Sequence, residues 1–447
     1  MTFLELNLNT PLLNALNELG FTNPTPIQEK VFPAVMSGRD AVGIAQTGTG
    51  KTFAYLIPIL RQLKYSDQKH ARILIVVPTR ELVLQVVGEV KKLAKYMNVR
   101  VVGVYGGTNI NTQKQVVYNG MDIVVATPGR LVDLVMTGVL RLRSIQKLVI
   151  DEVDEMLNLG FRPQLMSFMD SLPVKRQNLM FSATLTEDVA TMIDSYFFEP
   201  ETIELQNQGT PLEQISQYYY SVPNFFTKVN LLENIIADSE AFKRVLIFVS
   251  SKQLADRVFE LLDPIYNEQI GVLHSNKSQN YRINALERFR AGISRMLIAT
   301  DVASRGLDIA DISHVINFDT PENPEDYIHR TGRTGRAEKA GIAITFVNEV
   351  EMKYLSEIEK FINRQIEEKP FPTGLKISNI FTDEEHPILF DKDYLGNPNA
   401  ISDSKGAFHE KKAKNKKVNL GGPGKRFPRK EKPVNRGVMK KKAAKRK

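Results

Sequence analysis

Short apolar runs alternate with helix-like stretches along most of the chain. In the first half the runs cover residues 73–77, 99–104, 123–125, 148–150 and 179–181, and in the second half 245–249, 270–273, 296–298, 315–318 and 343–347. Continuous apolar strands that alternate with helices are typical of parallel sheets covered by helices on both faces. The pattern therefore predicts an α/β chain in which one plan occurs twice.

Polar residues follow several of these runs at the point where a strand should end. Asp151 and Glu152 follow one run, Ser182 and Thr184 follow another, and Thr300 comes shortly after a third. In open α/β sheets, ligands bind at the carboxyl ends of the strands. We therefore expect the functional site at these ends.

Changes in composition divide the chain into segments. We predict one α/β domain at residues 1–206, a linker at 207–213, a second α/β domain at 214–368 and an irregular extension at 369–404. Residues 405–447 hold 18 Lys/Arg against two acids, a net charge of +16, with too few apolar residues to fold alone. Since the whole chain carries +8, the remaining residues carry −8. All of the basic excess lies in this tail.

The overall composition limits the class of protein. At 447 residues the chain is too long for one ordinary core, and its hydrophobic fraction of 42% suits a globular protein. It has no membrane-length apolar run, no signal-peptide pattern at its start and no cysteine, which excludes disulfides. Its six scattered histidines lack the spacing of a zinc site. We expect a cytoplasmic protein without a membrane segment.

A glycine-rich segment suited to phosphates precedes a helical pattern in the first half. It reads Ala45-Gln46-Thr47-Gly48-Thr49-Gly50-Lys51-Thr52. In loops of this type backbone N–H groups hold the phosphates, the lysine reaches the β- and γ-oxygens and the hydroxyl residue holds Mg²⁺. Ala45 stands where the strict pattern has glycine, and by itself the segment also fits an ordinary strand–helix turn.

A pair of carboxylates supports the nucleotide interpretation. Asp151 and Glu152 follow the apolar run that ends at Ile150. Asp151 suits Mg²⁺ coordination through water, and Glu152 suits polarisation of an attacking water. A solvated acidic turn is the alternative, but a carboxylate pair beside a phosphate loop favours an ATPase.

An arginine-rich segment in the second half reads His329-Arg330-Thr331-Gly332-Arg333-Thr334-Gly335-Arg336. Arginine side chains can neutralise charge on a transferring γ-phosphoryl group. The alternative is a solvated basic face. If this segment and the phosphate loop serve one nucleotide, two domains share the site, and hydrolysis can open and close the cleft between them.

Three further segments carry residue types that hold a phosphodiester backbone. Pro78-Thr79-Arg80-Glu81, Gly106-Gly107 and Thr127-Pro128-Gly129-Arg130 each follow a predicted strand of the first half. Hydroxyls, glycine N–H groups and arginines contact the backbone of nucleic acid without reading its bases. Each segment alone also fits a helix cap or a turn. Together, beside an ATPase site, they favour a nucleic-acid partner.

These motifs, in this order, resemble one family: the DEAD-box ATP-dependent RNA helicases of superfamily 2. The resemblance extends over residues 1–368. The segment Gly20-Phe21-Thr22-Asn23-Pro24-Thr25-Pro26-Ile27-Gln28 resembles the family's Q motif, with Phe3 as its upstream aromatic residue. The resemblance implies that Gln28 pairs with the adenine edge and selects ATP over GTP.

The resemblance implies roles for further residues. Ser182 and Thr184, with Asp154, would link hydrolysis to strand separation. Arg333 and Arg336 would act as arginine fingers beside His329. The other implied residues of the second domain are Gln279, Arg282 and Thr300 on the RNA side, Asp301 and Arg305 at the interdomain face, and Asp308 at the ribose.

Two positions depart from the family's pattern. Val153 stands in the usual alanine position of the Asp-Glu-Ala-Asp tetrapeptide, and Ser275 stands where glycine is common after His274. Since the side chain at position 153 supplies no catalytic group, we expect activity to survive. The composition and the basic tail look most like the bacterial RhlE-like branch of the family.

The implied fold is two tandem RecA-like domains, loosely tethered without ligand, each a parallel sheet flanked by helices, with ATP and Mg²⁺ in the cleft. The implied activity is RNA-stimulated ATP hydrolysis that locally unwinds RNA duplexes or remodels RNA–protein complexes, in ribosome assembly or RNA decay. An ATP-gated RNA clamp and a DNA helicase are the alternatives. We expect the basic tail to be a disordered electrostatic tether for RNA, with solubility or nuclear import as its alternative role.

Overall fold

The computed structural model describes residues 2–45, 48–205, 215–301, 311–335, 341–382 and 384–385. The predicted linker, residues 386–404 of the predicted extension and the tail lie outside these ranges. Five predicted site residues also lie outside them: Gln46, Thr47, Arg305, Asp308 and Arg336. The chain through Glu385 forms one compact unit. Within it, the first lobe is residues 2–205 and the second lobe is residues 215–385.

The first lobe is built on a parallel sheet, which has seven strands among the described residues. They are β1 (Ala41–Ile44), β2 (Ile73–Val76), β3 (Val101–Val104), β4 (Ile123–Ala126), β5 (Lys147–Asp151), β6 (Gln177–Ser182) and β7 (Glu201–Glu204). Their spatial order is β3-β4-β2-β5-β6-β1-β7. The helices are α1 (Thr10–Glu18), α2 (Pro26–Ser37), α3 (Lys51–Gln62), α4 (Arg80–Leu93), α5 (Ile110–Tyr118), α6 (Pro128–Met136), α7 (Val153–Asn158), α8 (Arg162–Met169) and α9 (Glu187–Tyr196).

The second lobe repeats this construction. Its strands are β8 (Ile215–Ser221), β9 (Val245–Phe248), β10 (Ile270–Leu273), β11 (Met296–Ala299), β12 (His314–Asn317), β13 (Gly341–Val347) and β14 (Glu367–Glu368). Their order is β10-β11-β9-β12-β13-β8-β14, and neighbouring strands are parallel. The helices are α10 (Phe225–Ile236), α11 (Lys252–Tyr266), α12 (Gln279–Arg290), α13 (Pro324–Thr331) and α14 (Met352–Ile362).

The two sheets share one strand order, because adding seven to each strand number of the first sheet gives the second. The prediction that one α/β plan occurs twice is therefore confirmed. Every predicted apolar run overlaps a strand. The pattern does not predict β1, β7, β8 or β14.

Three of these four strands, β7, β8 and β14, lack the continuous apolar run of an interior parallel strand. β7 and β14 lie at sheet edges and carry exposed glutamates, and β8 alternates buried and exposed positions beside one edge. β1 is an interior strand that is buried throughout, and the prediction misses it although its sequence resembles that of β3 and β10. A Cβ at Gly43 would lie 2.8 Å from the ring of Phe181, so close packing against β6 requires the glycine.

Apolar residues on both faces of each sheet pack against helices. In β2, Ile73 and Ile75 join one apolar cluster, and Leu74 and Val76 join the other. Burying an aliphatic side chain of this size stabilises the fold by about 1.5–3 kcal/mol. Burial on both faces therefore holds each interior strand in place, so the polar residues that follow it have a fixed position at the edge of the sheet. No helix within the described ranges is both long enough and apolar enough to cross a membrane.

Residues just after β14 pack on the second lobe without regular structure. The ring of Phe371 stacks on Tyr220, with centroids 6.4 Å apart. The Asn224 side chain donates to the carbonyl of Ser378 at 2.6 Å, and the Ser378 N–H donates to the hydroxyl of Thr227 at 3.0 Å. The boundary at residue 368 stays a prediction, but these contacts hold the start of the extension against α10.

We predict that a chain ending at residue 368 is less stable than one ending at residue 385. Removing residues 369–385 exposes Tyr220 and takes partners from Asn224 and Thr227, which should lower the free energy of unfolding by about 2–4 kcal/mol. Urea titration followed by circular dichroism measures the difference. Equal midpoints for the two chains would show that the extension contributes nothing to the lobe.

Candidate functional site

The phosphate loop connects β1 to α3, and Lys51 is the first residue of that helix. Gly50 forms the N-cap with φ +92°, a left-handed conformation that favours glycine. A Cβ at Gly50 would also meet the Nε2 atom of Gln28 at 2.6 Å. Because N–H groups at a helix N-terminus attract phosphates, this geometry suits the predicted ligand.

Gln28 is hydrogen-bonded to the phosphate loop. Its Nε2 atom donates to the Gly50 carbonyl at 3.2 Å, and its Oε1 atom accepts from the Thr25 N–H at 3.0 Å. The Thr25 hydroxyl donates to the Thr49 carbonyl at 2.8 Å. The Q-motif segment therefore holds the loop from the start of α2. Pairing of Gln28 with adenine stays a prediction.

The two aromatic residues predicted for the base have different surroundings. Phe21 is 46% exposed, and its ring meets the ring of Phe53 edge-on at 5.4 Å. Phe3 is 4% exposed and belongs to the apolar core of the first lobe. The structure therefore leaves the Phe21 ring accessible and gives Phe3 a packing role. Direct contact of either ring with the base stays a prediction.

Asp151 ends β5, and Glu152 follows it as the N-cap of α7. Glu152 has φ +55° and ψ +50°, a left-handed conformation that is unusual for a residue with a side chain. Such strain persists where the surrounding structure enforces it, commonly at functional sites. Lys51, Asp151 and Glu152 are all buried, each less than 9% exposed.

Burial sets the electrostatics of this group. It raises the pKa of Asp151, and it raises the pKa of Glu152 to about 7. That value for Glu152 includes the charge of Asp151, which also raises the pKa, and the charges of Lys51 and Arg333, which lower it. Within the part of the chain that the structure describes, Lys51 Nζ, Asp151 Oδ1 and Glu152 Oε2 are buried without a hydrogen-bond partner. Such atoms indicate a site that a polar ligand completes.

The donor set here fits a magnesium ion. Mg²⁺ prefers oxygen ligands and usually binds through one or two carboxylates together with substrate phosphates. The unpartnered Asp151 Oδ1 atom and the Thr52 hydroxyl are oxygen donors of this kind. Among the described residues, no group of three or more His, Cys, Asp or Glu side chains is arranged to hold a metal. An ion at Asp151 would therefore take further ligands from phosphate and water.

Tyr55 contacts the site although the motifs do not single it out. Its hydroxyl donates to Asp151 Oδ2 at 3.1 Å. Burial, and then the charge of Asp151, raises the pKa of Tyr55 well above its usual value. Tyr55 lies four residues after Lys51 on α3, so helical spacing places both on one face. That spacing is the sequence signal for Tyr55.

Asp154 connects the carboxylate segment to the segment after β6. Its Oδ2 atom accepts from the N–H groups of Ala183 at 3.0 Å and Thr184 at 3.1 Å, and from the Thr184 hydroxyl at 3.2 Å. Ser182 is fully buried at the end of β6. The structure therefore brings the predicted coupling residues of the first lobe together.

Arg330 of α13 and Arg333 of the turn after it have different surroundings. Arg330 donates to both carboxylate oxygens of Asp301, each at 2.6 Å, and to the Asp319 carbonyl at 2.9 Å. These contacts fix α13 to the strand ends of the second lobe. Arg333 is 5% exposed and lies near enough to Glu152 for its charge to lower the pKa of that carboxyl. Arg333 therefore faces the first lobe.

His329 pairs with a residue of the first lobe. Its Nδ1 atom lies 2.9 Å from Glu155 Oε1, and both side chains are largely buried. Burial lowers the pKa of His329, but the hydrogen bond and charge of Glu155 outweigh it, so the pKa is raised above its usual 6.5. The motifs do not single out Glu155; its place directly after Asp154 is the only sequence signal.

A second pair of contacts joins the lobes on the predicted RNA side. Arg80 Nη1 donates to Gln279 Oε1, and Glu81 Oε1 lies 2.8 Å from Arg282 Nη2. Gly107 has φ +77°, a left-handed conformation that favours glycine, and a Cβ there would crowd the mobile end of the Arg80 side chain. The structure therefore gathers predicted RNA residues of both lobes at one place, with Glu81 of the first segment paired to Arg282.

The remaining predicted RNA residues lie at strand ends and helix starts. The Thr79 hydroxyl accepts from the Leu82 N–H at 3.3 Å and caps α4, and Thr127 is the N-cap of α6. Arg130 is 8% exposed, and its guanidinium contacts are inside the protein. Direct contact of Arg130 with RNA stays a prediction. The others follow β2, β3, β4 and β11: Pro78, Gly106, Pro128, Gly129 and Thr300.

The sequence is similar to known helicases along both lobes. Residues 25–192 match the DEAD/DEAH box helicase family, and residues 227–338 match the helicase conserved C-terminal domain. The ATP-dependent RNA helicase RhlB of Pseudomonas syringae pv. tomato is 41% identical, over 83% of this chain and 96% of its own. The DEAD-box ATP-dependent RNA helicase CshA of Geobacillus kaustophilus is 38% identical, over 83% of this chain and 79% of its own. Placement in the RhlE-like branch stays a prediction.

Solved structures resemble this one across the same share of the chain. Saccharomyces cerevisiae Dbp5 bound to RNA and ADP BeF3 aligns with a TM-score of 0.76 and 28% identity, over 83% of this chain and 95% of that one. Mss116p bound to ssRNA and AMP-PNP aligns with a TM-score of 0.75 and 28% identity, over 83% and 79%. With the two sheets described above, these similarities confirm the predicted tandem RecA-like fold.

We predict that the His329–Glu155 pair makes the joining of the lobes depend on pH. A histidine whose pKa is raised by its partner contributes stability below its free pKa of about 6.5, and that contribution is lost as pH rises through the raised pKa. The charge of Asp154 also raises the pKa of His329, whereas the charge of Arg333 lowers it. RNA affinity with a non-hydrolysable ATP analogue, measured by fluorescence anisotropy, should fall by a factor of about 5 from pH 6 to pH 8.

The matched control is Glu155→Gln, which keeps the shape of the side chain and removes its charge. This variant should lose most of the pH dependence while binding the nucleotide normally. An identical pH profile for the variant and the unchanged chain would contradict the assignment.

Proposed function

The chain belongs to the DEAD-box family of ATP-dependent RNA helicases, and we propose that ATP binding in the cleft between its lobes drives local separation of RNA duplexes. One observation carries the proposal. Lys51, Asp151 and Glu152 are buried together in the first lobe, and Arg333 of the second lobe lies near enough to act on the pKa of Glu152. A nucleotide in this place would be held from both lobes.

The first lobe supplies the groups for binding and hydrolysis. The N-terminus of α3 and the Lys51 ammonium would bind the phosphate oxygens. Glu152 would orient the attacking water and accept its proton, because its side chain is buried next to Asp151 and its Oε2 atom has no hydrogen-bond partner among the described residues. A Mg²⁺ ion held by Thr52 and Asp151 would supply charge neutralisation at the phosphates. Tyr55 would hold Asp151 in place through its hydrogen bond.

The second lobe supplies positive charge to the same nucleotide. Arg333 would neutralise charge that develops on the transferred phosphoryl group, and Arg336 is proposed to act beside it. An arginine in this role is worth about 10³–10⁵ in turnover. Arg330, fixed on Asp301, would keep the segment in position.

The coupling from nucleotide to RNA would run through residues that the structure connects. Asp154 lies three residues after Asp151 and holds the segment after β6 through Thr184. The Glu81–Arg282 and Arg80–Gln279 contacts join the lobes on the RNA side. Closing the lobes on ATP would therefore also complete the RNA surface, so each ligand should tighten the other.

RNA would lie across the loops after β2, β3 and β4 and the segment after β11. Their glycines, threonines and helix starts are suited to phosphate and sugar contacts, which hold a strand without reading its sequence. Contacts to 2′-hydroxyls would explain a preference for RNA over DNA. A strand bent by the closed lobes could not stay in an A-form duplex, so a few base pairs would separate.

We propose structured RNA of ribosome assembly or of RNA decay as the substrate in cells. The basic tail would raise the affinity for such RNA without adding sequence preference, because its lysines and arginines meet phosphates. Crosslinking RNA to the chain in cells and sequencing it would test this role. Recovery of RNA without enrichment of ribosomal precursors or decay intermediates would contradict it.

We predict that Glu152→Gln abolishes turnover without weakening ligand binding. The amide keeps the size and position of the side chain but cannot accept the proton of the attacking water. ATP and RNA should therefore bind normally, the complex should persist, and RNA-stimulated ATPase should fall by at least about 10²-fold. Phosphate-release assays and nucleotide titrations measure both. Full turnover in this variant would remove Glu152 from its role.

We also predict ATP-dependent separation of a short RNA duplex. A short RNA duplex should separate repeatedly with ATP, whereas a non-hydrolysable analogue should support at most one round of separation for each protein molecule. RNA should also stimulate the ATPase far more than DNA of the same sequence. RNA-stimulated ATPase without strand separation would favour an ATP-gated clamp. Equal stimulation by DNA would favour a DNA helicase.

A further inference from the structure

One buried amide connects two of the loops proposed to bind RNA. Gln113 lies on α5, and 9% of it is exposed. Its Nε2 atom donates to the Tyr105 carbonyl at 3.0 Å and to the Thr108 hydroxyl at 2.7 Å. Its Oε1 atom accepts from the Tyr105 N–H at 3.3 Å and from Arg130 Nη1 at 2.9 Å. Both ends of the amide are therefore engaged.

These contacts span the two loops. Tyr105 and Thr108 flank Gly106-Gly107 after β3, whereas Arg130 ends the segment Thr127–Arg130 after β4. The strands β3 and β4 are neighbours in the sheet, so their loops lie side by side. Arg130 Nη2 also donates to the Thr108 carbonyl at 3.0 Å. Gln113 and Arg130 thus bridge the Gly106-Gly107 loop and the Thr127–Arg130 segment.

The hydrogen bonds of Gln113 require both donors and acceptors on one side chain, and an amide supplies both. The side chain must accept from a cation and a backbone N–H on one side, and donate to a carbonyl and a hydroxyl on the other. Glutamate supplies only acceptors when ionised, and methionine, of similar length, supplies no donor and only a weakly accepting sulfur. A buried carbonyl or guanidinium left without its partner costs free energy, so loss of the amide should let the loops move apart.

We propose that Gln113 is a positioning residue for RNA binding, which acts by fixing the spacing between the Gly106-Gly107 loop and the Thr127–Arg130 segment. This inference rests on the proposed function of these loops. Gln113 itself is buried under them and touches protein atoms in every contact given above. Two loops held in register can contact successive phosphates of one strand, whereas loops that move independently lose that alignment.

The test compares Gln113→Met with Gln115→Met. Gln115 lies on the same helix and is exposed, so it controls for the substitution. RNA-stimulated ATPase is measured against RNA concentration, and then against ATP concentration at saturating RNA. For Gln113→Met we expect the half-saturating RNA concentration to rise about tenfold. The maximal rate and the KM for ATP should stay within about twofold, because α5 and both loops lie outside the phosphate loop and the carboxylate pair.

A third variant, Gln113→Glu, keeps an acceptor for Arg130 and loses the donors. Its half-saturating RNA concentration should lie between those of the unchanged chain and Gln113→Met, and it serves in place of Gln113→Met if that chain does not fold. Equal half-saturating RNA concentrations for all chains would overturn the proposal. A parallel loss of maximal rate and ATP affinity would overturn it too, since it would indicate general damage. If RNA does not stimulate the unchanged chain, the proposed function itself fails.

Discussion

The structure depends on charge that is buried where two lobes meet. Lys51, Asp151 and Glu152 lie in the first lobe, and each is less than 9% exposed. Arg333 of the second lobe lies near enough for its charge to lower the pKa of Glu152. Burying ions costs several kcal/mol each unless opposite charges and hydrogen bonds compensate. Atoms of the first three have no partner among the described residues. A polyphosphate with its cation would supply the missing partners, so the ligand and the second lobe complete one site together.

Because the two sheets share one strand order, both lobes place segments at equivalent strand ends, where the nucleotide and RNA are proposed to bind. β4 and β11 occupy equivalent places, and Thr127 and Thr300 follow them directly. β3 and β10 are likewise equivalent, and the segment after β10 leads into Gln279 and Arg282, which contact the first lobe. The lobes differ at β1 and β8, because only β1 leads into a phosphate loop. The second lobe contributes arginines from the helix after β12 instead. Under the proposed function, one fold would therefore hold the nucleotide in one copy and supply positive charge to it in the other.

The sequence predicts the parts of this arrangement that follow from local pattern. Interior strands appear as continuous apolar runs, and the groups that end them are visible as Asp151-Glu152 or Thr127-Pro128. Edge strands such as β7 escape this pattern because half of their side chains face water. Single contacts between distant segments also escape it. Nothing local in Glu155 reveals that His329 will lie 2.9 Å away, and nothing in Arg130 reveals that its guanidinium is used inside the protein. Such contacts depend on how the lobes and loops pack.

If one nucleotide binds to both lobes at once, the distance between the lobes should depend on the ligands. The chain has no cysteine, so Met136→Cys and Val350→Cys, both at exposed positions of opposite lobes, would carry the only two dyes. Single-molecule energy transfer would then be recorded with and without a non-hydrolysable ATP analogue plus an oligoribonucleotide. Both ligands together should shift the molecules to one narrow distance distribution. The same distribution with and without the ligands would contradict it.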